Sequence, residues 1–469
     1  MSENNKANQT KKKRQINFNP FMILFIIIIL IYSVSFFVTP GEFDREVIDG
    51  RSQVIPGSYH EVERGNLSPF DIFRAIPYGF EGSASIMFLI LIVGGVIEVY
   101  NKTGAIPVAV TRLVNFAGDK GGAIVIAIIY SIFAVLGGFL GWLETVIPFV
   151  PLVIPVILAL GYDIMTATAV VTLGTMVGFA VGPTNMYTVG ISHQIAELPM
   201  FSGFGLRLAA YLVFCIVALV YILIYAEKVK KDPSKSIVKE INVDDLRVSY
   251  DGEEGSMTWK HAVSLLALVG AFVASVYGMM KLGWGINDLT ATFFAAGLLT
   301  AIIGSLGVEG TVKTFTQGAA GAMGGAMVIG VARGIQWMLT RTGLMDPIVN
   351  SLSQMLQGLS PFGTTVGVFF LITIMNGIVA SGSGKAVALM PIIIPLADIL
   401  GISRQTATLA YQFGDGVSNM IWFTYGGLLI FLAYGKIPLG KWYKFFLPLF
   451  FILMILSIIF LFIAVQIGY

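Results

Sequence analysis

The sequence predicts an all-α polytopic membrane protein built as an inverted-topology repeat. Three observations carry this. Of 469 residues, 56% are hydrophobic and only 12% charged, against about 45–50% and about 25% in soluble domains. The apolar residues fall in long continuous runs, which excludes an alternating outer-membrane barrel. Segments of the first half recur in the second at one nearly constant offset.

Composition narrows the function classes. Gly is abundant, 53 residues, which suits close helix packing in lipid. Lys+Arg 29 against Asp+Glu 27 leaves a net charge of +2, so nothing points to nucleic acid. One Cys and three His exclude a disulfide framework and a Cys/His zinc site. No G-x-x-x-x-G-K-[ST] loop is present, so no ATP coupling within this chain is expected.

The elements follow in order. Residues 1–19 form a polar tail with Lys11, Lys12, Lys13 and Arg14. The apolar run from Phe21 to Val38 follows without a small-residue cleavage site, so it reads as an uncleaved first helix. Its basic flank places the N-terminus in the cytoplasm. The first repeat half is 20–226, with a polar extracytoplasmic loop at 39–83. Apolar runs near 84–101, 122–160, 164–190 and 205–226 complete it. The basic segment 227–260 reads as a cytoplasmic linker. The second half, 261–469, has runs near 261–280, 288–306, 322–340, 364–400, 404–434 and 445–467.

The repeat is read from aligned residues. LGYDIMTATA (160–169) matches LGISRQTATL (400–409), and Pro151 and Pro155 match Pro391 and Pro395. GVIEVYNKTG (95–104) matches GIQWMLTRTG (334–343), and the run near 21–38 is aligned with 261–278. The run 288–306 has no counterpart, and one added span inverts every later element. Inverted repeats of this kind are a mark of secondary transporters. Runs 122–160 and 364–400 are interrupted by GGFLGWLE and ASGSGK, and each is either two spans or a re-entrant hairpin. Their Gly-rich tips favour hairpins, because non-helical backbone at membrane depth survives only against protein or water. With hairpins, 19 of the 29 Lys/Arg fall in cytoplasmic pieces, in line with the positive-inside tendency.

Several segments together resemble a known group: TPGEF, IPGSYHEVE, GGVIEVYNKTGAI, LETVIPFVPLVIPVILALGYD and NMYTVGISHQIAELPMFSGFGLR. The chain resembles the YfcC-type carriers of the C4-dicarboxylate anaerobic carrier-like group, within the ion transporter superfamily. SGSGKAVALMPIIIPLADILGISRQTATLAYQFGDGVSN is also similar to the matching stretch of p-aminobenzoyl-glutamate transporters. The resemblance implies about nine transmembrane helices plus two opposed hairpins, a homodimer, and substrate held between hairpin tips and broken helices. It implies a pair of acids at the first tip, where this chain has Leu143 and Glu144. It admits arginine/ornithine exchange and dicarboxylate transport.

Ionisable residues inside membrane runs are functional candidates. The substrate-binding candidates are Glu144 and Thr145 at the first tip, Thr184 and Asn185 in GPTN, and Ser381, Ser383 and Lys385 at the second tip. Asp415 and Asn419 in FGDGVSN complete the set. Asp415, Ser418, Asn419 and Asn185 offer oxygen ligands for a coupling ion, Na⁺ or H⁺, and no other cofactor or metal is expected. The glycines around Asp415 suggest an unwound centre. Its alternative role is to pair with Arg333 from VARGIQW. Arg333 itself reads equally as a carboxylate fork or a structural partner. Glu98, Trp142 and Trp337 read as structural, and His193 as a loop residue. For Asn185 the motif offers Asn419 as repeat mate, whereas the fixed offset pairs Gly174 with Gly414; the motif is followed for function and the offset for fold.

The expected function is secondary active transport of a small charged metabolite across the cytoplasmic membrane by alternating access, of the elevator type. Acids beside helix N-termini and amides suit an amino acid such as arginine or ornithine. A Na⁺- or H⁺-coupled C4-dicarboxylate carrier is the alternative. A channel or an intramembrane enzyme fits less well, since no Ser–His, Cys–His or paired catalytic carboxylate set appears.

Overall fold

The computed structural model describes residues 20–48, 51–55, 57–247, 257–355 and 358–469. The N-terminal tail, with its basic cluster, lies outside the described residues. The first half runs α1 (Pro20–Val34), β1 (Gly41–Glu42), β2 (Arg45–Ile48), β3 (Arg51–Val54), β4 (His60–Glu61), α2 (Asp71–Lys102), α3 (Ala105–Leu140), α4 (Val150–Ala159) and α5 (Ile164–Val181). A break at 182–185 leads into five π-helical residues, Met186–Gly190, then α6 (Ile191–Ile195) and α7 (Phe204–Lys231). The second half runs α8 (Trp259–Lys281), α9 (Ile286–Ile303), α10 (Gly307–Thr342), α11 (Met345–Gln354), α12 (Pro361–Ile378) and α13 (Gly382–Ile399). It ends with α14 (Arg404–Ser418), a break at 419–425, α15 (Gly426–Tyr434) and α16 (Leu439–Gln466). Among the described residues, eight helices are long and apolar enough to cross a membrane. This is a multi-pass membrane protein.

The repeat persists in backbone detail. Asp163 caps α5 by accepting from Thr166 N at 2.8 Å; Ser403, 240 residues later, caps α14 by accepting from Thr406 N at 3.0 Å. Both are N-cap side chains satisfying the free donors of a helix start. Gly161 and Gly401 both hold left-handed backbone, φ +85° and +71°, which glycine adopts without a steric penalty. Gly174 packs against Tyr130 and Phe133 of α3 as Gly414 packs against Phe369 and Ile372 of α12.

Three expectations change. The loop 39–83 is shorter, because α2 begins at Asp71 and folds 71–83 as helix. The rest of the loop holds two small antiparallel pairs, β1 with β4 and β2 with β3. Asp346 anchors it to the second half, taking Arg45 Nη2 at 2.6 Å and Phe43 N at 3.1 Å. Second, α1 packs along α10 as α9 packs along α2. The contacts thus make α9 the counterpart of α1, and α8 the added span. Third, Gly414–Asp415–Gly416 lies inside α14. Its glycines admit close neighbours: Gly416 meets the Ala180 backbone of α5. The unwound stretch begins at Asn419.

Two layers frame the site. The long helices α2 and α10 pack along their lengths, with Gly79 against Gly330 and Gly334, and Gly94 against Gly318. Small residues let helix backbones approach where lipid supplies no hydrophobic drive. Beside this pair, α5 is buried along its whole length and α14 from Gln405 onward, and the two pack on each other. Helix pairs α3/α4 and α12/α13 flank them. Each second arm meets the segment after the opposite break, α13 on α6 and α4 on α15.

Candidate functional site

The second tip holds a buried ion pair. Helix α12 ends at Val379, whose backbone turns extended (φ −121°, ψ 97°). Ser381 then caps α13 by accepting from Gly384 N at 3.1 Å. Lys385, in the first turn of α13, sends its side chain back under the tip. Nζ lies 2.7 Å from Asp415 Oδ1, donates to Val379 O at 2.8 Å and donates to Asn376 Oδ1. Lys385 is 1% exposed and Asp415 0%. A lone charge at such depth is costly, and partnered oxygens offset that cost.

Asn376 extends the network. Its Nδ2 lies 2.9 Å from Asp415 O, 2.8 Å from Ser418 Oγ and 2.7 Å from Asn419 Oδ1, so two hydrogens are shared among three acceptors. Tyr411 OH donates to Gly382 O at 2.5 Å, and Gly382 sits over Asp415 Oδ2. Lys385, Asp415, Ser418 and Asn419 are thus brought together. Asp415 pairs with Lys385 and not with Arg333. Lys385 is sealed in and does not snorkel to water. Ser383 faces a separate groove beside Met186 and Tyr187.

The first tip is built differently. Gly141 ends α3 in left-handed backbone, φ +68°, and Trp142, Leu143 and Thr145 are buried. Glu144 is half-buried, and its Oε1 accepts from Tyr425 OH at 3.0 Å. Thr184 Oγ1 donates to Phe139 O at 2.9 Å. Asn185 Nδ2 donates to Phe179 O at 3.0 Å, and its Oδ1 accepts from Tyr187 N at 3.0 Å. Asn185 therefore caps the segment after the first break. The residue in that place in the second half is Tyr425, ahead of α15, at the fixed offset of 240. The motif pairing of Asn185 with Asn419 gives way to the offset, because the second break is longer and starts earlier. Asn185 is not part of the Lys385 cluster.

Between the tips and the α2/α10 pair lies a cavity of about 130 Å³. Its polar wall is Ser83, Glu144, Arg333, Gln336, Thr424 and Tyr425, with Ala380 from the second tip. Arg333 is exposed to it, and neither Glu144 nor Arg333 has an ionic partner among the described residues. The cavity thus presents a carboxylate, a guanidinium, an amide, a phenol and two hydroxyls. Glu98 lies in another cleft farther along α2, where Asn101 Nδ2 approaches its Oε2 at 3.5 Å. Trp337 stacks on Tyr78 with ring centroids 4.9 Å apart. His193 is fully buried in α6, rather than in a loop.

Sequence reasoning missed Asn376, Tyr411 and Tyr425. Asn376 carried a signal, being an amide in an apolar run just ahead of the tip. Tyr425 had one too, since the fixed offset carries Asn185 onto it.

The family model described as C4-dicarboxylate anaerobic carrier matches residues 19–466. An Escherichia coli (strain K12) protein, YfcC, whose name proposes basic amino acid antiport, is 28% identical, with 96% of each chain covered. An uncharacterized protein of Haemophilus influenzae is 27% identical over 97% of this chain and 99% of its own. Among solved structures, the Alcanivorax borkumensis YdaH transporter has a TM-score of 0.43 at 14% identity, over 96% of this chain and 99% of that one. The Neisseria gonorrhoeae efflux pump MtrF has a TM-score of 0.44 at 16% identity, over 96% of each.

Proposed function

Because the chain belongs to the C4-dicarboxylate anaerobic carrier family of membrane transporters, we propose that it carries a basic amino acid such as arginine or ornithine by exchange. It is a carrier and not an enzyme. The observation that supports this substrate is that Glu144 and Arg333 line one cavity and neither has an ionic partner among the described residues. Arg333 suits the α-carboxylate, as a planar fork of donors. Glu144, held by Tyr425, suits the side-chain cation. The proposed basic amino acid antiport of the Escherichia coli relative agrees with that assignment. A dicarboxylate, in keeping with the family's description, is the second reading; it would use Arg333 and be repelled by Glu144.

The mechanism we propose is alternating access. The helix pairs α3/α4 and α12/α13 act as re-entrant hairpins and move with α5, α14 and the segments after their breaks. The α2/α10 pair stays with the scaffold and, in this reading, supports a homodimer. The protein sits in the cytoplasmic membrane with its N-terminus inside. Movement of Glu144 and Tyr425 along the fixed Arg333 face would expose the cavity to one side and then the other.

The test is thermal unfolding of detergent-purified protein with arginine, ornithine, neutral amino acids, glutamate, malate and succinate. A ligand at about 100 times its Kd adds roughly 2.7 kcal/mol. Stabilisation by the basic amino acids, lost in Glu144→Gln, is the expected result. Stabilisation by malate or succinate alone would overturn it.

A further inference from the structure

We propose that the Lys385 ammonium is a tethered cation standing where a free Na⁺ would otherwise bind, so that the second tip takes up no Na⁺ while Lys385 is present. An ammonium has three N–H donors and no acceptor. Here the three find three oxygens of different origin: the Asp415 carboxylate, the Asn376 amide and the Val379 carbonyl. Carboxylate, amide and backbone carbonyl are the oxygens that hard cations take. The carbonyl comes from the C-terminal end of α12, where the helix dipole is negative. Unwound backbone and half-helix C-termini of this kind hold Na⁺ or H⁺ in transporters.

Three further oxygens nearby are also engaged by nitrogen, while Asp415 Oδ2 has no hydrogen-bond partner among the described residues. Asp415 O, Ser418 Oγ and Asn419 Oδ1 surround Asn376 Nδ2. Every second-half residue expected to ligate Na⁺ therefore faces Lys385 Nζ or Asn376 Nδ2. The fourth expected ligand, Asn185, caps the first break. In the first half the offset of 240 places Thr145 and Thr175 opposite Lys385 and Asp415, so this arrangement is not duplicated there. The cage belongs to the second tip, and its cation is covalently attached.

The consequence for function rests on the transporter reading: transport does not require Na⁺. The cage is tested without substrate, so failure of the amino acid assignment leaves this test intact. Thermal unfolding of wild type, Lys385→Ala, Lys385→Ser and Lys385→Met is measured over a NaCl series, with ionic strength held constant by choline chloride. All variants are prepared in NaCl, so that a vacated cage can fill. The wild-type midpoint is expected to be the same in Na⁺ and choline. Lys385→Ala or Lys385→Ser is expected to gain a Na⁺-specific rise in midpoint. Lys385→Met fills the space with a side chain and is expected to gain none. A Na⁺-specific rise in the wild type would overturn the proposal. So would folded Ala and Ser variants indifferent to Na⁺, or the failure of both to fold in NaCl.

Discussion

Replacing Asp415 by Asn removes the negative half of a fully buried ion pair while keeping the side chain's shape. In the structure, Lys385 Nζ stands 2.7 Å from Asp415 Oδ1. At an effective dielectric constant of about 20, two unit charges at that distance attract by roughly 6 kcal/mol. The amide would retain a hydrogen bond but not the charge. Breaking one side of a buried pair costs about 3–5 kcal/mol, because the surviving charge stays desolvated. Asp415 is a candidate site residue by sequence, and the structure gives it a second role as the partner of Lys385, so stability should fall as well as transport. Adding Lys385→Met removes the stranded ammonium, so the double variant should unfold at a higher temperature than Asp415→Asn alone. The assay is thermal unfolding of the four proteins in detergent, arranged as a double-mutant cycle. Additive effects of the two substitutions would show that the pair is not coupled and would refute the reasoning.

Three further outcomes are expected. Tyr425→Phe frees Glu144 from its phenol hydrogen bond and should weaken the response to arginine several-fold, with little change in unliganded stability, as read by the same ligand panel. Gly334→Val places a branched side chain against the Ala75 carbonyl and should force α2 and α10 apart, with a loss on the order of 1–3 kcal/mol from overpacking; an unchanged unfolding midpoint would count against the close helix contact. At the linker, Lys436 bonds both oxygens of Asp245 at 2.6 Å and holds that carboxyl below its usual range. A depressed folded pKa stabilises above the unfolded value of about 3.9 and is lost as pH falls through the folded one. The midpoint difference between wild type and Lys436→Met should therefore be constant at neutral pH and vanish in acid.

How much was legible depended on which physical effect fixed each feature. Apolar runs locate membrane helices because lipid leaves the backbone few other options. The caps Asp163 and Ser403 and the left-handed Gly161 and Gly401 are local, so the repeat could be read residue by residue. The break after α14 was misplaced because glycine serves both unwinding and close packing. Only the Ala180 backbone against Gly416 shows which applies. Likewise, α1 was matched to the wrong span because greasy helices align easily, whereas their packing partners do not interchange.

The sequence by itself determined the class of the protein, its internal repeat and the ionisable residues worth following. Those depend on composition and on neighbours along the chain. Only the tertiary structure decided which charges meet. Lys385 and Asp415 are thirty residues apart in the chain and pair because the second tip folds back onto α14. Glu144 and Arg333 come from opposite halves and share a cavity without pairing. Electrostatic partnership depends on a few ångströms of separation, and helix packing sets that distance rather than local propensity.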